Sequence, residues 1–538
     1  MDIRTTGGPA TAEEVAAVDG ILGASEPIDH RVSHGGRAAR SQRHLLLPVL
    51  HAIQDRTGWV SRGALEYACR RLSIPPAEAY GVVSFYARFA LEEPRDVVAR
   101  HVCDDISCIL AGAKPVEGGR PSPCLGLCDR APAALVERFG ADYEATQMPE
   151  SSQPAVAASR LLRRVGVVDP ASIDSYRAHG GFLALQQARE IGAEQVMRKI
   201  GDAGLLGRGG AAFPTGRKWE SVAKAPAPRY LVCNADESEP GTFKDRVLME
   251  SDPFAVIEAM SIAAFVTGCE KGFIYIRAEY RLARKRIQNA IAQAQGVIGI
   301  EIEVRRGAGA YICGEETALF NSIEGKRGEP RNKPPFPVEV GLFGRPTLVN
   351  NVETLANVLA IINGDFADTR IFCVSGHVER PGLYELAMGT PLRTLLEMAG
   401  VHNLQAVLLG GAAGSFLTPD QIDVPLSFEG TRAIGATLGS GAVIVFDETA
   451  DMKQVLLRIA RFFRDESCGQ CVPCRVGTKR QEEILERMLQ DRDGDRRADV
   501  MLLSDIAQAM RDASICGLGQ TAANAIASGL KQLPVLNA

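Results

Sequence analysis

Apolar residues recur at helical spacing through the first part of the chain. Those between Leu45 and Ile53 form one face of a helix, and Gly58 ends it. Ser61 is placed to cap a second helix, and the prolines at 75–76 to open a third. We therefore expect a helical bundle at 44–95 with its aromatic residues in the core. Residues 1–43 are expected to form a flexible leader or loose helix, and their arginines to stay solvated.

The pattern changes twice before residue 170. The sequence is strand-like from Asp96 to Cys103, which begins a small domain expected at 96–145. Residues 146–169 are rich in proline, serine and alanine, a composition typical of a linker. We expect one short helix, at 156–165, inside this linker.

Strand-like and helical stretches alternate between residues 170 and 365. Buried strands are predicted at 230–233 and 272–276, and helices at 253–267 and 282–294. Because strands that alternate with helices usually lie side by side in one direction, this part predicts a parallel α/β sheet.

The last two segments differ from the α/β part. Residues 366–449 combine strand-like runs with a helix at 392–399, which predicts a mixed α+β unit without obvious chemistry. Residues 450–538 are helical by pattern. The sequence therefore predicts a multidomain protein of the α/β and α+β classes, and its 538 residues fit three or four domains.

Composition excludes several classes of function. The hydrophobic fraction of 46% and the charged fraction of 23% are those of a soluble globular protein. A net charge of −5 implies no nucleic-acid partner. Since we find neither a long apolar run nor the apolar core of a signal peptide, we expect no membrane insertion and a cytoplasmic location.

Eight of the 13 cysteines form two groups that need metal or redox chemistry to explain them. In the first group, Cys103 and Cys108 form one pair and Cys124 and Cys128 another. Two thiolate pairs on two loops suit a [2Fe–2S] cluster. They equally suit a structural zinc ion, which accepts four thiolates at similar spacing.

The second group has the pattern C-x2-C-x2-C at Cys468, Cys471 and Cys474, and Cys516 follows later. Three thiolates on one loop with a distant fourth suit a [4Fe–4S] cubane. Zinc ribbons favour two separated pairs instead. The remaining cysteines lie singly in apolar stretches, where we expect buried, inert thiols.

Two glycine-rich loops, at 204–219 and 307–317, flank an acidic segment at 234–246. Exposed main-chain N–H groups in such loops suit a phosphate or the edge of a flavin. Neither loop fits the common dinucleotide or phosphate-loop fingerprints, and each alone could be a surface turn. Together, the three segments favour a nucleotide site.

These segments, with 325–337 and 346–354, resemble the flavin-binding core of the NADH-oxidising (51 kDa, or F) subunit of respiratory NADH dehydrogenase. They equally resemble the diaphorase subunits of NAD-dependent hydrogenases and formate dehydrogenases. The resemblance covers roughly residues 170–535. The segment 44–138 is similar to the 24 kDa (E) subunit of the same complex, although the family usually has a longer insertion between the two cysteine pairs.

The resemblance implies a particular domain order. After the helical bundle come a trimmed thioredoxin-like [2Fe–2S] domain, a Rossmann-like domain for FMN and NADH, and a ubiquitin-like (soluble-ligand-binding β-grasp) domain. A helical bundle with the [4Fe–4S] cluster ends the chain. It implies that all eight grouped cysteines are cluster ligands, with FMN and NAD(H) as the other cofactors.

The resemblance also implies a set of cofactor-binding residues. For FMN these are Gly207, Gly209, Gly210, Lys218, Asn234, Asp236, Glu237, Gly314, Glu315, Glu316, Asn350, Asn351 and Thr354. For NADH they are Phe213, Glu239, Lys333 and Phe336. Arg208 and Tyr311 are also expected to bind a cofactor, without assignment to FMN or NADH. Since hydride and electron transfer need no general acid or base, no catalytic residue is nominated. Three positions depart from the family pattern: Ala212, Arg217 and Ser221.

The expected function is an NADH:acceptor oxidoreductase (diaphorase) subunit. Because E-like and F-like parts are fused, we expect as partner a molybdenum or tungsten formate dehydrogenase subunit or a nickel–iron hydrogenase subunit. The alternatives are a subunit of a respiratory NADH:quinone oxidoreductase, a non-catalytic iron–sulfur wiring subunit and a zinc-binding structural protein.

Overall fold

The computed structural model describes residues 8–24, 37–114, 118–149, 155–157, 160–489 and 496–533. It contains three sheets. The N-terminal helices, the segment from Ala308 to Ile323 and the C-terminal helices share one continuous apolar core. The second glycine loop and the C-terminal cysteines therefore pack around the same core. Among the described residues, no helix combines the length and apolar character needed to cross a bilayer.

The N-terminal part is the expected helical bundle. Its helices are α1 (Ala12–Leu22), α2 (Arg37–Ser41), α3 (Leu46–Thr57), α4 (Arg62–Leu72) and α5 (Pro76–Val83). Ser61 caps α4 by accepting the Ala64 N–H, and Gly58 ends α3 in the left-handed conformation, both as predicted.

Helix α1 corrects the expectation of a flexible or loose leader. Thr11 and Glu14 form a capping box at its start, and Val18 is completely buried in the bundle core. The Tyr67 hydroxyl donates to Asp19 at 2.9 Å, which ties α1 to α4. The rest of the leader, 1–7 and 25–36, lies outside the described residues.

The small domain that follows is a four-stranded sheet. Its elements are β1 (Val98–Cys103), α6 (Ile106–Leu110), β2 (Arg120–Ser122), β3 (Ala134–Arg138) and β4 (Glu144–Met148). The strand order is β2-β1-β3-β4, with β2 parallel to β1.

The prediction of a helix at 156–165 is wrong. Residues Ala155–Ala157 form β5, an edge strand of a later sheet, and turns follow from residue 161. The main-chain N–H groups of Leu161 and Leu162 donate to the Glu385 carboxylate. A buried side chain thus supplies the hydrogen bonds that a helix would have supplied.

The α/β part has the predicted strands and helices. They are α7 (Ile173–Ala178), α8 (Leu183–Ile191), α9 (Ala193–Asp202), α10 (Thr215–Lys224), β6 (Tyr230–Ala235), α11 (Lys244–Ser251), α12 (Pro253–Thr267), β7 (Lys271–Ile276), α13 (Arg281–Ile298), β8 (Glu301–Arg306), α14 (Glu316–Ile323), β9 (Thr347–Asn351) and α15 (Val352–Asn363). The sheet is parallel throughout, with the order β8-β7-β6-β9.

Two further units complete the chain. The mixed unit consists of β10 (Thr369–Gly376), β11 (Gly382–Ala387), α16 (Leu392–Ala399), β12 (Leu404–Leu409), β13 (Ser415–Leu417), α17 (Phe428–Ala433) and β14 (Ala442–Asp447). Its sheet has the order β13-β12-β14-β10-β11-β5. The C-terminal helices are α18 (Met452–Glu466), α19 (Val472–Leu489), α20 (Arg496–Ala513), α21 (Gly517–Thr521) and α22 (Asn524–Gln532).

The packing of α1 can be tested with two substitutions on the same helix. Val18→Asp places a carboxylate in the core and should destabilise the bundle by ~2 kcal/mol or more, since apolar burial is lost and a charge is desolvated. Ala16→Asp places the same group on the exposed face of α1 and should change little. Thermal unfolding followed by circular dichroism measures both. Equal melting temperatures for the two variants would mean that α1 does not pack as described.

Candidate functional site

The order of the parallel sheet determines where a ligand can bind. From β6 the chain proceeds to β7 and β8 on one side, and then crosses to β9 on the other. The loops after β6 and β9 therefore separate, and they leave a crevice at the carboxyl ends of these strands. Asn234 and Asp236 lie at the end of β6, and Asn350 and Asn351 at the end of β9. The predicted site residues thus converge at this switch point.

The first glycine loop closes on itself in front of α10. The Gly207 N–H donates to the Phe213 carbonyl at 2.9 Å. A Cβ on Gly209 would lie 3.2 Å from the Asn351 Cβ, so the loop passes close to the end of β9. Ala212 has a φ of +53°, in the left-handed region that costs a non-glycine residue ~1–2 kcal/mol. The departure from glycine at this position is therefore accommodated as backbone strain.

Asp236 has a buried carboxylate oxygen that is available to bind a ligand. Its Oδ2 atom is buried and has no hydrogen-bond partner among the described residues. A Cβ on Gly314 would lie 3.6 Å from this oxygen, so the second glycine loop faces it. Burial raises the pKa of Asp236 to about 8. An unpartnered acceptor in a glycine-lined crevice fits the hydroxyl groups of a flavin side chain.

Other predicted residues accept hydrogen bonds from the protein itself. The Glu237 carboxylate accepts the main-chain N–H groups of Asp245 and Arg246, both at 2.9 Å, at the start of α11. Asn350 accepts the Trp219 indole N–H at 2.9 Å. The Thr354 hydroxyl accepts the Arg208 N–H at 2.8 Å. These side chains shape the crevice and do not project freely into it.

Arg208 is placed differently from the expectation. Its side chain is 1% exposed and donates to Asp368 at 2.6 Å and to the Thr369 carbonyl at 3.0 Å. The guanidinium thus anchors the glycine loop to the start of β10, and its main chain is the part that remains in the loop.

Two lysines form ion pairs with Glu315 and Glu316, the adjacent carboxylates of the second glycine loop. Lys333 Nζ lies 2.8 Å from Glu315 and 3.1 Å from Glu316, and Lys218 Nζ lies 3.4 Å from Glu316. Burial raises the pKa of Glu316, but the two lysines outweigh it and hold this pKa below its usual value. Glu315 also caps α14. Capping contacts and ion pairs therefore hold both carboxylates in place.

Two aromatic rings remain open to a ligand. Phe213 and Phe336 are each 52% exposed. The Lys218 ammonium lies 5.7 Å from the centre of the Phe213 ring. Two exposed rings, one of them beside a positive charge, suit the stacking of a nucleotide.

The N-terminal cysteine group converges as predicted. Cys103, Cys108, Cys124 and Cys128 are all buried and unpaired by disulfides. The Cys103 thiol contacts those of Cys108 and Cys124, and the Cys124 and Cys128 sulfurs lie 3.5 Å apart. Four buried thiols joined by pairwise contacts supply the donor set of an iron–sulfur cluster.

The C-terminal cysteine group lines a small cavity. Cys468, Cys471, Cys474 and Cys516 meet there with Ile312, Pro330 and Leu518. Ile312 belongs to the second glycine loop, so this cavity lies directly behind the nucleotide-type crevice. Cys474 is buried, whereas the other three thiols are partly exposed. The donor set and its apolar surroundings fit a cubane.

Sequence reasoning missed the arginines that join these sites. Arg277, directly after β7, donates to the Glu237 carbonyl at 2.7 Å and to the Cys124 carbonyl at 2.5 Å. Arg246 donates to the Gly126 carbonyl at 2.9 Å and to Asp129 at 2.7 Å. Their position after a predicted strand and in the acidic segment was the available signal, but their partners are far away in the sequence.

The crevice suits a nucleotide, and each of the two groups of four cysteines suits an iron–sulfur cluster. Sites of these kinds in one folded chain are suited to electron transfer. The fold and the site therefore define an iron–sulfur flavoprotein oxidoreductase.

Comparison with known proteins narrows this class. The chain is 41% identical over 399 residues to the F subunit of the NADH-quinone oxidoreductase of Aquifex aeolicus, covering 70% of this chain and 92% of that protein. The chain belongs to this family of NADH-oxidising flavoprotein subunits, which confirms the resemblance found in the sequence.

Another relative differs in its nucleotide. The chain is 41% identical over 396 residues to HndC, a subunit of the NADP-reducing hydrogenase of Solidesulfovibrio fructosivorans, covering 68% of this chain and 80% of that protein. The solved structure of an NAD+-reducing [NiFe]-hydrogenase in its H2-reduced state matches with a TM-score of 0.80 and 33% identity. That match covers 93% of this chain and 94% of the other.

Four family models match successive parts of the chain. The Nuo51 FMN-binding domain matches residues 200–360, and the NADH-ubiquinone oxidoreductase-F iron–sulfur binding region matches 454–535. The thioredoxin-like [2Fe–2S] ferredoxin matches 34–118, and the SLBB domain matches 371–408. The cofactors are therefore FMN, NAD(H), a [2Fe–2S] cluster and a [4Fe–4S] cluster, as expected.

The ligand assignment predicts distinct iron losses. Cys128→Ala should lower the iron content by about two atoms per chain and Cys474→Ala by about four, because each cluster loses a thiolate. Cys69→Ala is the control, since Cys69 is a buried thiol of α4 outside both groups. Iron analysis and EPR of the dithionite-reduced protein measure the outcome. Full iron and both EPR signals in Cys128→Ala would remove it from the ligand set.

Proposed function

We propose that this chain is the NADH-oxidising diaphorase subunit of a soluble NAD-linked hydrogenase or formate dehydrogenase complex. The observation that carries the proposal is the extent of the structural match: a single chain of an NAD+-reducing hydrogenase matches 93% of this one. The F-type relative matches only 70% of it. The fused N-terminal cluster domain therefore favours a hydrogenase-like assembly over the respiratory complex.

Hydride acceptance from NADH by FMN, followed by single-electron transfer to iron–sulfur clusters, is the chemistry these groups supply when bound. We assign FMN to the crevice between the two glycine loops, with Asp236 accepting a hydroxyl of its side chain. The N-terminus of α15, capped by Asn351, suits the phosphate. Gly207, Gly209, Gly210 and Gly314 let the main chain approach the flavin.

We assign NADH to the open side of the same crevice. Phe213 and Phe336 offer the exposed rings, and Lys333 offers a positive charge. Glu239 offers a carboxylate to the ribose hydroxyls of the adenosine. A carboxylate at this place repels the additional phosphate of NADPH, so Glu239 favours NADH.

The alternative of a non-catalytic iron–sulfur subunit, which only conducts electrons between other subunits, requires a site that cannot bind a nucleotide. Asp236 and the two exposed rings argue against it, because each is a group that a nucleotide would satisfy. The strained Ala212 and the neighbouring Arg217 and Ser221 leave these groups unchanged.

The proposed assembly predicts a defined set of metals and activities. The tagged chain, isolated anaerobically from its own cells, should bring with it a subunit that contains nickel, or one that contains molybdenum or tungsten. The complex should reduce NAD+ with hydrogen in the first case and with formate in the second. Co-isolation of quinone-reducing membrane subunits would instead support the respiratory alternative. Clusters that NADH cannot reduce would support the wiring alternative.

The Glu239 assignment predicts how NADH binding depends on pH. Burial raises the pKa of Glu239 to about 7, while hydrogen bonds from Tyr311 and Ala413 oppose the rise. Ribose hydroxyls donate to the ionised form, which is present above this pKa and lost below it. The KM for NADH should therefore increase about tenfold between pH 8 and pH 6.

Glu239→Gln provides the control for this pH dependence, since an amide does not titrate. Its KM for NADH should be higher and nearly constant over the same range, and its preference for NADH over NADPH should be weaker. Steady-state kinetics with ferricyanide as acceptor measures both nucleotides. The same tenfold increase in Glu239→Gln would show that another group causes it.

A further inference from the structure

The unit built on the mixed sheet, to which the sequence assigned no chemistry, reaches into the nucleotide site. The segment between β12 and β13, residues 410–414, is called the 410–414 loop. The main-chain N–H of Ala413 donates to Glu239 Oε1 at 2.9 Å. A Cβ on Gly411 would lie 2.6 Å from Glu239 Cγ and 2.7 Å from its Oε1. The loop therefore packs closely against the Cγ-to-Oε1 part of the Glu239 side chain.

The opposite side of Glu239 is held by the flavin domain. The Tyr311 hydroxyl donates to Oε2 at 2.5 Å. The main-chain N–H of Ala412 also donates to this carboxylate. Glu239 is thus held from two domains, and donors on both sides fix the orientation of the carboxylate more firmly than one side could alone.

The 410–414 loop is itself anchored. The Gly410 N–H donates to the Ala442 carbonyl at 2.8 Å, and the Gly414 N–H to the Gly411 carbonyl at 2.9 Å. The Asn524 side chain donates to the Ala413 carbonyl at 3.3 Å, which joins the loop to α22. Because these contacts hold the loop in place, the loop can hold Glu239 in a fixed position.

We propose that the 410–414 loop is the specificity-determining element for the nucleotide, with Gly411 and Ala413 as positioning residues that hold Glu239 against the adenosine ribose. This inference rests on the proposed placement of NADH at Glu239. The matched segment of the SLBB domain ends at residue 408, just before the loop. A relative described as NADP-reducing is 41% identical, so high similarity alone does not fix the nucleotide.

Glycine at 411 is required by both space and conformation. Its φ is +79°, and an added methyl group would overlap the Glu239 side chain. Gly411→Ala should therefore displace the carboxylate. We expect the KM for NADH to rise about five- to thirtyfold with kcat changed less than about twofold, because uniform nucleotide binding is lost. The NADH-to-NADPH ratio of kcat/KM should fall at least about fivefold.

Gly389→Ala is the matched control. Gly389 lies in the same unit, has a φ of +89° and has open space around its added Cβ. It carries the same backbone strain without the contact to Glu239. Its nucleotide preference should equal that of the wild type.

A double-substitution cycle separates this inference from the proposed function. In the Glu239→Ala background, Gly411→Ala should add no further change in the nucleotide ratio, since the contact is already gone. If Glu239→Ala leaves the ratio unchanged, the placement of NADH at Glu239 is wrong. If Glu239→Ala changes it and Gly411→Ala behaves like Gly389→Ala, the inference about the loop alone is overturned.

Asn524→Ala covers the case in which Gly411→Ala yields no flavin-loaded protein. It releases the Ala413 carbonyl and leaves residue 411 as glycine. The nucleotide ratio should shift in the same direction by about two- to threefold, with the [4Fe–4S] EPR signal unchanged. An unchanged ratio in Asn524→Ala and in every folded Gly411 variant would overturn the inference.

Discussion

The structure depends on the strand order of its parallel sheet. Because β9 lies beside β6, and not beyond β8, the loops after these two strands diverge and open a crevice that a close-packed interior would otherwise fill. The glycine loops and the aromatic residues assigned to the nucleotide then follow from their place at this edge. The N-terminal helices and the C-terminal helices pack into the same core behind it, so the C-terminal cysteine group is held at a fixed position relative to the second glycine loop.

Buried charge is the second constraint. The acidic segment places Glu237 and Asp245 in the interior, where unpaired carboxylates are costly. Lys244, with 1% of its side chain exposed, lies 2.8 Å from Asp245 and 3.1 Å from Glu353. Removing one partner of such a buried pair typically costs ~3–5 kcal/mol, because the remaining charge is left uncompensated.

The same electrostatics joins the domains. Arg277 and Arg246 place guanidinium groups between the acidic segment and the loop that carries Cys124 and Cys128. Arg458 of α18 donates to the Asp104 carbonyl at 2.8 Å, next to Cys103. The guanidinium groups therefore also dock the loops that carry the N-terminal cysteines against the α/β domain and α18.

Many of the helices, strands and cysteine groups could be predicted from the sequence, because they depend on neighbouring residues. Helix caps such as Ser61, the strand at 230–233 and the cysteine spacing are local features, and local geometry determines them. The failures are non-local: α1 is ordered by its burial against the bundle, and Leu161 and Leu162 are held by Glu385, which is distant in the sequence. The role of Arg277 and the contact between Gly411 and Glu239 likewise depend on which domains meet, which no local pattern encodes.

Side chains with hydrogen-bond partners inside the protein form the framework of the crevice, whereas groups without such partners remain available to a ligand. Glu237, Asn350 and Thr354 have hydrogen-bond partners within the protein, so their positions do not depend on a cofactor. Asp236 Oδ2 and the rings of Phe213 and Phe336 lack that support, although their neighbours are closely packed. A folded protein tolerates such groups at a net cost, which a bound partner offsets. The crevice therefore combines walls whose polar side chains are held by the protein with one carboxylate oxygen and two rings that remain available to a ligand.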